Sequence, residues 1–444
     1  MPNAAVDLKV AVVPQGAPVD GLIGGILDTL GIDHSPPASE AVCVIDTRAR
    51  EVRDGPSSSS RRPSTVYFDD FLQPARLLLA TQGRPEPSHR LHADPEISAS
   101  ARRLFQSICS QFWTRGFPLV AKSFWPHDAV ACLVLTHDVD WLSYSPAHRA
   151  VSKGKPIPEY LKLLLSHAAG RRFGFNVAST IELEASLGAR STFLFRNEYP
   201  GAQEKLSEAI RICLDSGCEV ALHAAKKSHK DPLAMIREKS EMEKAIGGPL
   251  SGLREHALKF EYDKTWKCIE GAGFAYDMTF GLNEKTGFVG GLCHPYHPVA
   301  LDGTPYSFLE IPTSLMDWTL LRDGMSYGRI ETLIRRLKDS MASLNGCLCV
   351  NFHNTYLDKD LFPEIERAYR LLIAECKEKG FWIATARECA EWWAKREGSQ
   401  LKASIEEGSL NIDSNDPSVP PNVYWPDGRV EQLGQLRQVK GLHR

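Results

Sequence analysis

The sequence has no pair of cysteines at the CxxC spacing, although it holds 11 cysteines. A zinc ribbon or similar paired-thiol finger is thereby excluded. The cysteines are scattered and odd in number, and Cys132, Cys347 and Cys349 sit inside apolar runs. That pattern predicts reduced core thiols rather than a disulfide framework. No apolar stretch is long enough to cross a bilayer, and the first residues lack the basic start and apolar core of a secretory signal. Together these make the cytoplasm the expected location. Charge is also short on either side: 52 Lys and Arg against 55 Asp and Glu leave a formal net charge of −3. Neither a nucleic acid nor an anionic membrane is expected as a partner. There is no internal repeat.

What is present is more chain than one hydrophobic core usually organises: 444 residues predict a main domain with an accessory one. Residues 1–123 show strand-like runs at 8–13, 41–46 and 65–68 and a helical pattern at 21–30, which predicts a small α/β unit. It is expected to recognise a carrier or to cover one end of the main domain. Asp69 and Asp70 end the third run with no His or Cys nearby and are read as a solvated loop.

From residue 124 to 396 the rhythm changes. Apolar runs recur at 130–136, 191–195, 219–222, 250–253, 276–280, 308–312, 347–352 and 382–385. Amphipathic patterns lie between them at 202–214, 232–245, 329–343 and 362–379. Strands alternating with helices predict an α/β fold, a distorted (β/α)7–8 barrel. Residues 397–444 form a polar, turn-rich tail, expected to add a small β-element or to wrap the barrel.

Barrel sites form where strands run out, so ligand-type residues at those positions carry the functional reading. The first run ends in Thr136-His137-Asp138-Val139-Asp140-Trp141. Two carboxylates and an imidazole after an apolar run are costly unless something binds them; the plainer explanation is capping or a turn. A later run delivers His223, with His229 six residues on; another ends in Arg254-Glu255-His256, and a late one in His353-Asn354. Each His alone is ordinarily a satisfied polar residue. Four strand ends carrying His or Asp together point to one cation, with a mixed nitrogen and oxygen shell and a position left open for water.

These segments resemble the successive motifs of the NodB-homology polysaccharide deacetylases (carbohydrate esterase family 4) from Phe124 to Trp393, in order and spacing. The THDVD segment, Leu222-His223, Arg254-Glu255-His256 and His353-Asn354 are similar to a WbmS-type branch of that family, as are 276–279 and 309–312. The resemblance implies that Asp138 is the general base, His223 a metal ligand and His353 the general acid. Two departures accompany it. Val139 separates the usual adjacent aspartates, which assigns the metal carboxylate to Asp140. Lys227 stands where the second metal histidine normally lies, so His256, or alternatively His229, takes that place.

The implied activity is metal-dependent removal of an acetyl group from an N-acetylated saccharide, a precursor of a surface polysaccharide, with zinc as the expected ion. Arg254 is expected to hold Asp138 ionised. Trp141, Asn354 and Glu310 are expected to meet the substrate, and Tyr144, Asp317 and Trp318 lie where they could face the pocket. The Gly- and Pro-rich stretch 287–298, with His294 and His297, is expected to form a loop over the barrel mouth. Two other readings share these residues: hydrolysis of a non-sugar amide or cyclic imide, and a carbohydrate-binding protein with a decayed site.

Overall fold

The computed structural model describes residues 95–142 and 176–433, apart from 201, 226, 263, 301–303 and 407, together with short stretches between 6 and 92, residue 165 and residues 439–440. Asp69, Asp70 and Tyr144 lie outside the described residues, as does most of the expected helix at 21–30.

The centre is a curled, wholly parallel sheet: β1 (Cys132–Val139), β2 (Thr192–Phe195), β3 (Glu219–Ala224), β4 (Gly252–Glu255), β5 (Tyr276–Asp277), β6 (Leu309–Glu310), β7 (Thr313–Met316), β8 (Cys347–Asn351) and β9 (Trp382–Ala384). Hydrogen bonding runs β6-β5-β4-β3-β2-β1-β8-β7, and β9 pairs with the lower half of β1. The expected strand at 308–312 is in fact a bent segment. Its first half, β6, pairs with β5, and after Ile311-Pro312 its second half, β7, pairs with β8. One stretch of chain therefore supplies both edge strands of a curled α/β half-barrel, joined at the bend by the covalent chain and not by a ladder. Pro312 has no N–H to give to a ladder, which suits it to the bend.

Between the strands run α1 (Val177–Ser186), α2 (Glu204–Asp215), α3 (Pro232–Ile246), α4 (Thr265–Ala272), α5 (Asp317–Arg322), α6 (Tyr327–Leu344), α7 (Pro363–Glu378) and α8 (Ala386–Gly398). Their ends follow local chemistry. Asp231 caps α3 by accepting from the backbone N–H groups of Leu233 and Ala234, with Pro232 in the first turn, and Gly247 ends it at φ 70°. Thr385 and Glu388 form a reciprocal capping box on α8.

Alternation along each strand decides what faces the barrel axis. Along β1, Cys132 and Val134 join the inner core, while Leu133 and Leu135 pack outward against α6 and α7. Cys347 and Cys349 of β8 face inward in the same way, while Leu348 and Val350 face out. The inner core continues below the strands into Phe124, Trp125 and Trp393, with the Trp125 and Trp393 rings 5.3 Å apart. Truncating a fully buried tryptophan such as Trp393 would cost about 3–5 kcal/mol.

The flanking segments interlock beneath the barrel. Val6–Asp7 pairs with Leu401–Glu406, which forms a hairpin with Ser409–Ser414; Leu119–Lys122 pairs with Pro421–Tyr424. The helix Glu96–Trp113 buries Leu104, Phe105, Ile108 and Phe112 in the same core. The middle of the stretch 287–298 reaches this end, where Gly291 O accepts from Ser98 N, which corrects the expectation that the stretch lies over the mouth. Cys293 O accepts from Cys347 N, the first residue of β8, at 2.6 Å. Among the described residues, no helix is long and apolar enough to cross a membrane.

Candidate metal and catalytic site

At the opposite end, the strands deliver their polar residues. Because side chains alternate with a period of two, Val139 does not separate the aspartates functionally. It turns outward into the α1–α4 layer and leaves Asp138 and Asp140 on the same inward face. His223 leaves β3 inward by the same rule, following Ala221. His256 follows β4 in a tight turn, where Ala257 and Leu258 adopt left-handed backbone angles (φ 60° and 46°) and bend the chain sharply.

Asp140 Oδ1 lies 3.4 Å from His223 Nε2 and 3.3 Å from His256 Nε2, and the two rings are 5.0 Å apart. Ligand atoms of the three residues all fall within 4.8 Å of one another. Asp140 Oδ1 is buried yet makes no hydrogen bond among the described residues. His223 Nδ1 lies 3.2 Å from the Arg254 carbonyl, which can only accept, so in the neutral ring the Nε2 lone pair faces the carboxylate. A carboxylate oxygen and a bare imidazole lone pair repel, and either a proton on the ring or a bound cation reverses the sign. Two nitrogens and one oxygen, with the outer nitrogen of one His held by a carbonyl, fit a zinc-type divalent ion with an open position. Burial works against ionising Asp140, but His223 and His256 outweigh it and hold its pKa well below the usual value.

Asp138 stands beside this cluster, its Oδ2 3.9 Å from His223 Nε2. Arg254 Nη1 donates to Asp138 Oδ1 at 2.8 Å, and Asn351 Nδ2 donates to Oδ2 at 2.7 Å. Arg254 is itself fixed, donating from Nε to Met278 O and from Nη2 to Thr313 Oγ1, each at 3.1 Å. Burial opposes the Asp138 charge, yet His223 and Arg254 more than compensate and lower its pKa. On the other flank, His353 Nε2 lies 3.9 Å from Asp140 Oδ2, and its Nδ1 lies 2.7 Å from Asp317 Oδ1. Burial disfavours the charged ring, but Asp317, then Asp140 and Asp138, overcome it and push the His353 pKa up to about 9.

The structure sets other expected residues apart from this centre. His229 is not in the cluster; its Nε2 faces Glu261 Oε1 at 3.5 Å, because the short helix Ser228–Lys230 carries it away. Glu310 is fully buried on the barrel's outer side, where it accepts from Trp266 Nε1 and Phe280 N, each at 3.1 Å. Burial and its neighbour Asp277 raise the Glu310 pKa well above the carboxylate range. Asn354 is also fully buried, donating to the Trp141 carbonyl and to Asn176 Oδ1, each at 3.1 Å. It braces the wall of the site from behind. His294 packs at the closed end between Phe124 and Trp393, and His297 pairs with Glu397 at 3.0 Å. Trp141, 50% exposed, and Trp318, 36% exposed, remain open to solvent, and the Trp318 ring stacks on Tyr356.

One functional residue escaped sequence reasoning. It is Asn351, although the alternation from Cys347 through Cys349 already turns it inward. His137, by contrast, is expected beside the aspartates and does not join them. It points outward, with Nδ1 2.6 Å from Phe352 O and Nε2 2.7 Å from Glu184 Oε1.

No family model matches the chain, and no curated protein matches it. Solved structures resemble it at low identity. A protein from Mycobacterium smegmatis assigned to the polysaccharide deacetylases is 19% identical, over 62% of this chain and 94% of that one, with a TM-score of 0.44. PuuE allantoinase is 15% identical, over 61% and 92%, with a TM-score of 0.42. A protein from Pseudomonas aeruginosa, also assigned to the polysaccharide deacetylases, is 16% identical, over 61% and 93%, with a TM-score of 0.44.

Proposed function

We propose that this protein is a metal-dependent amide hydrolase that removes the acetyl group from an N-acetylated saccharide, a cytoplasmic precursor of a surface polysaccharide. One observation carries the reading: Asp140, His223 and His256 converge from three strand ends, with Asp138 and His353 on either flank. Asp140, His223 and His256 would hold a divalent ion, which supplies polarisation of the acetyl carbonyl and acidification of water.

The chain's own groups divide the proton work. Asp138, kept ionised and oriented by Arg254 and Asn351, takes the proton of the attacking water. His353, protonated and held through Nδ1 by Asp317, presents Nε2–H to the departing amine. A carboxylate with a lowered pKa and an imidazole with a raised one, placed apart, form the base and acid that amide cleavage needs. Trp141 and Trp318 offer ring faces on which a sugar can stack. Against a decayed site, the base and the acid each keep a supporting contact, Asp138 from Arg254 and Asn351 and His353 from Asp317.

The test is direct. Purified protein is assayed for bound metal and for amine release from N-acetylated saccharides. Metal with amine release supports the proposal; metal-free protein that binds sugar without releasing amine overturns it.

A further inference from the structure

A second group of metal-type ligands sits at the other end of the same two strands. Cys132 opens β1 and Cys347 opens β8, and the two are direct cross-strand partners, so their side chains emerge together toward the barrel axis. Cys389 reaches them from the first turns of α8, its Sγ 4.0 Å from Cys347 Sγ. All three sulfurs lie within 4.8 Å of one another, and all three residues are buried. Buried thiols are ordinary in themselves, and the other free cysteines among the described residues are buried as well. These three differ because they converge from three separate elements, with no nitrogen or oxygen ligand in the group.

The spacing matches coordination. With metal–sulfur bonds of about 2.3 Å, sulfurs lie about 4.0 Å apart around a trigonal ion and about 3.8 Å apart in a tetrahedron. We propose that Cys132, Cys347 and Cys389 form an all-sulfur site for a thiophilic d10 cation, zinc or monovalent copper, at the closed end of the barrel. Sulfur donors select such ions over magnesium, calcium or manganese. Each thiol that binds releases its proton, so three S–H bonds are exchanged for three metal–sulfur bonds and three protons leave. A cation here ties together the starting ends of β1 and β8, whose far ends carry Asp138 and Asn351. The proposal stands independently of the hydrolase reading.

Cadmium is the probe, because its thiolate complexes absorb in the near ultraviolet and its imidazole and carboxylate complexes do not. Full-length protein is produced in cadmium-supplemented medium and kept reduced, as wild type, Cys389→Ser, Cys347→Ser and His223→Ala. The expected result is a thiolate-to-cadmium band in the wild type, retained in His223→Ala and lost in both cysteine variants. A wild type without the band overturns the site, whether or not the variants fold, and so does a band that survives either cysteine substitution. Parallel growth with zinc or copper, with metal analysis of His223→Ala, then tells which ion is retained.

Discussion

Asp317 holds His353 at two points: the His353 backbone N–H donates to Asp317 Oδ2 at 2.6 Å, and the ring Nδ1 to Oδ1 at 2.7 Å. This carboxylate both aims the imidazole and keeps it charged. If His353 donates the proton, turnover should persist to about pH 9 and fall above it as the ring deprotonates. Asp317→Asn removes the charge that opposes burial, so the alkaline limb should move to lower pH. Profiles of kcat against pH for both proteins check this, and an unmoved limb would remove His353 from the acid role.

Asp138→Asn keeps the shape of the side chain, gives up one of the two hydrogen bonds it accepts from Arg254 and Asn351, and cannot accept the water's proton. Bound metal should be unchanged while kcat falls by roughly two to four powers of ten. Metal analysis alongside amine release separates the two effects. Full activity would exclude Asp138 as the base.

The metal ligands can be distinguished from their neighbours. His223→Ala and His256→Ala should each lose most of the ion held beside Asp140, keeping only what Cys132, Cys347 and Cys389 bind, since each removes one of the three protein ligands of that centre. His229→Ala should retain it, because His229 faces Glu261 instead. Equal metal content in all three would contradict the assignment.

Gly252 gives a prediction about stability. A Cβ at that position would lie 1.9 Å from Tyr276 Cζ. The Tyr276 ring is fully buried and its hydroxyl donates to Glu219 Oε1 at 2.5 Å, so it has little room to move. Gly252→Ala should destabilise the protein by about 1–3 kcal/mol, the usual cost of overpacking. Gly248→Ala, where a Cβ meets nothing within 4 Å, should be nearly neutral. Urea unfolding of the two variants measures the difference.

The barrel was legible because its strands are short apolar runs set between helical patterns, and four of those runs lead into a His or Asp that burial alone does not explain. The pairing of Asp138 with Arg254 and of Asp140 with His256 joins strands far apart in sequence, so only their positions at strand ends hinted at it. Glu310 misled because a strand pattern does not say which face a residue takes, and here that face meets α4. The stretch 287–298 misled for a different reason. Glycine and proline mark irregular backbone without saying which end of the barrel it covers, and the Cys293–Cys347 contact that settles it is long-range. Asn354 looked available beside His353, yet the turn after β8 folds it inward.

The bend at Ile311-Pro312 has a further consequence. β6 and β7 are the end strands of the hydrogen-bonded run, and loop backbone meets the outer side of each: Glu310 and Tyr296 exchange hydrogen bonds, and Ser314 O accepts from Gly287 N, which leaves less ladder for another chain to extend. A one-residue insertion there would force a choice between unzipping β5 from β6 and reversing the faces of β7. Reversal would carry Thr313 away from Arg254, so a change distant from the cluster would loosen the grip on Asp138.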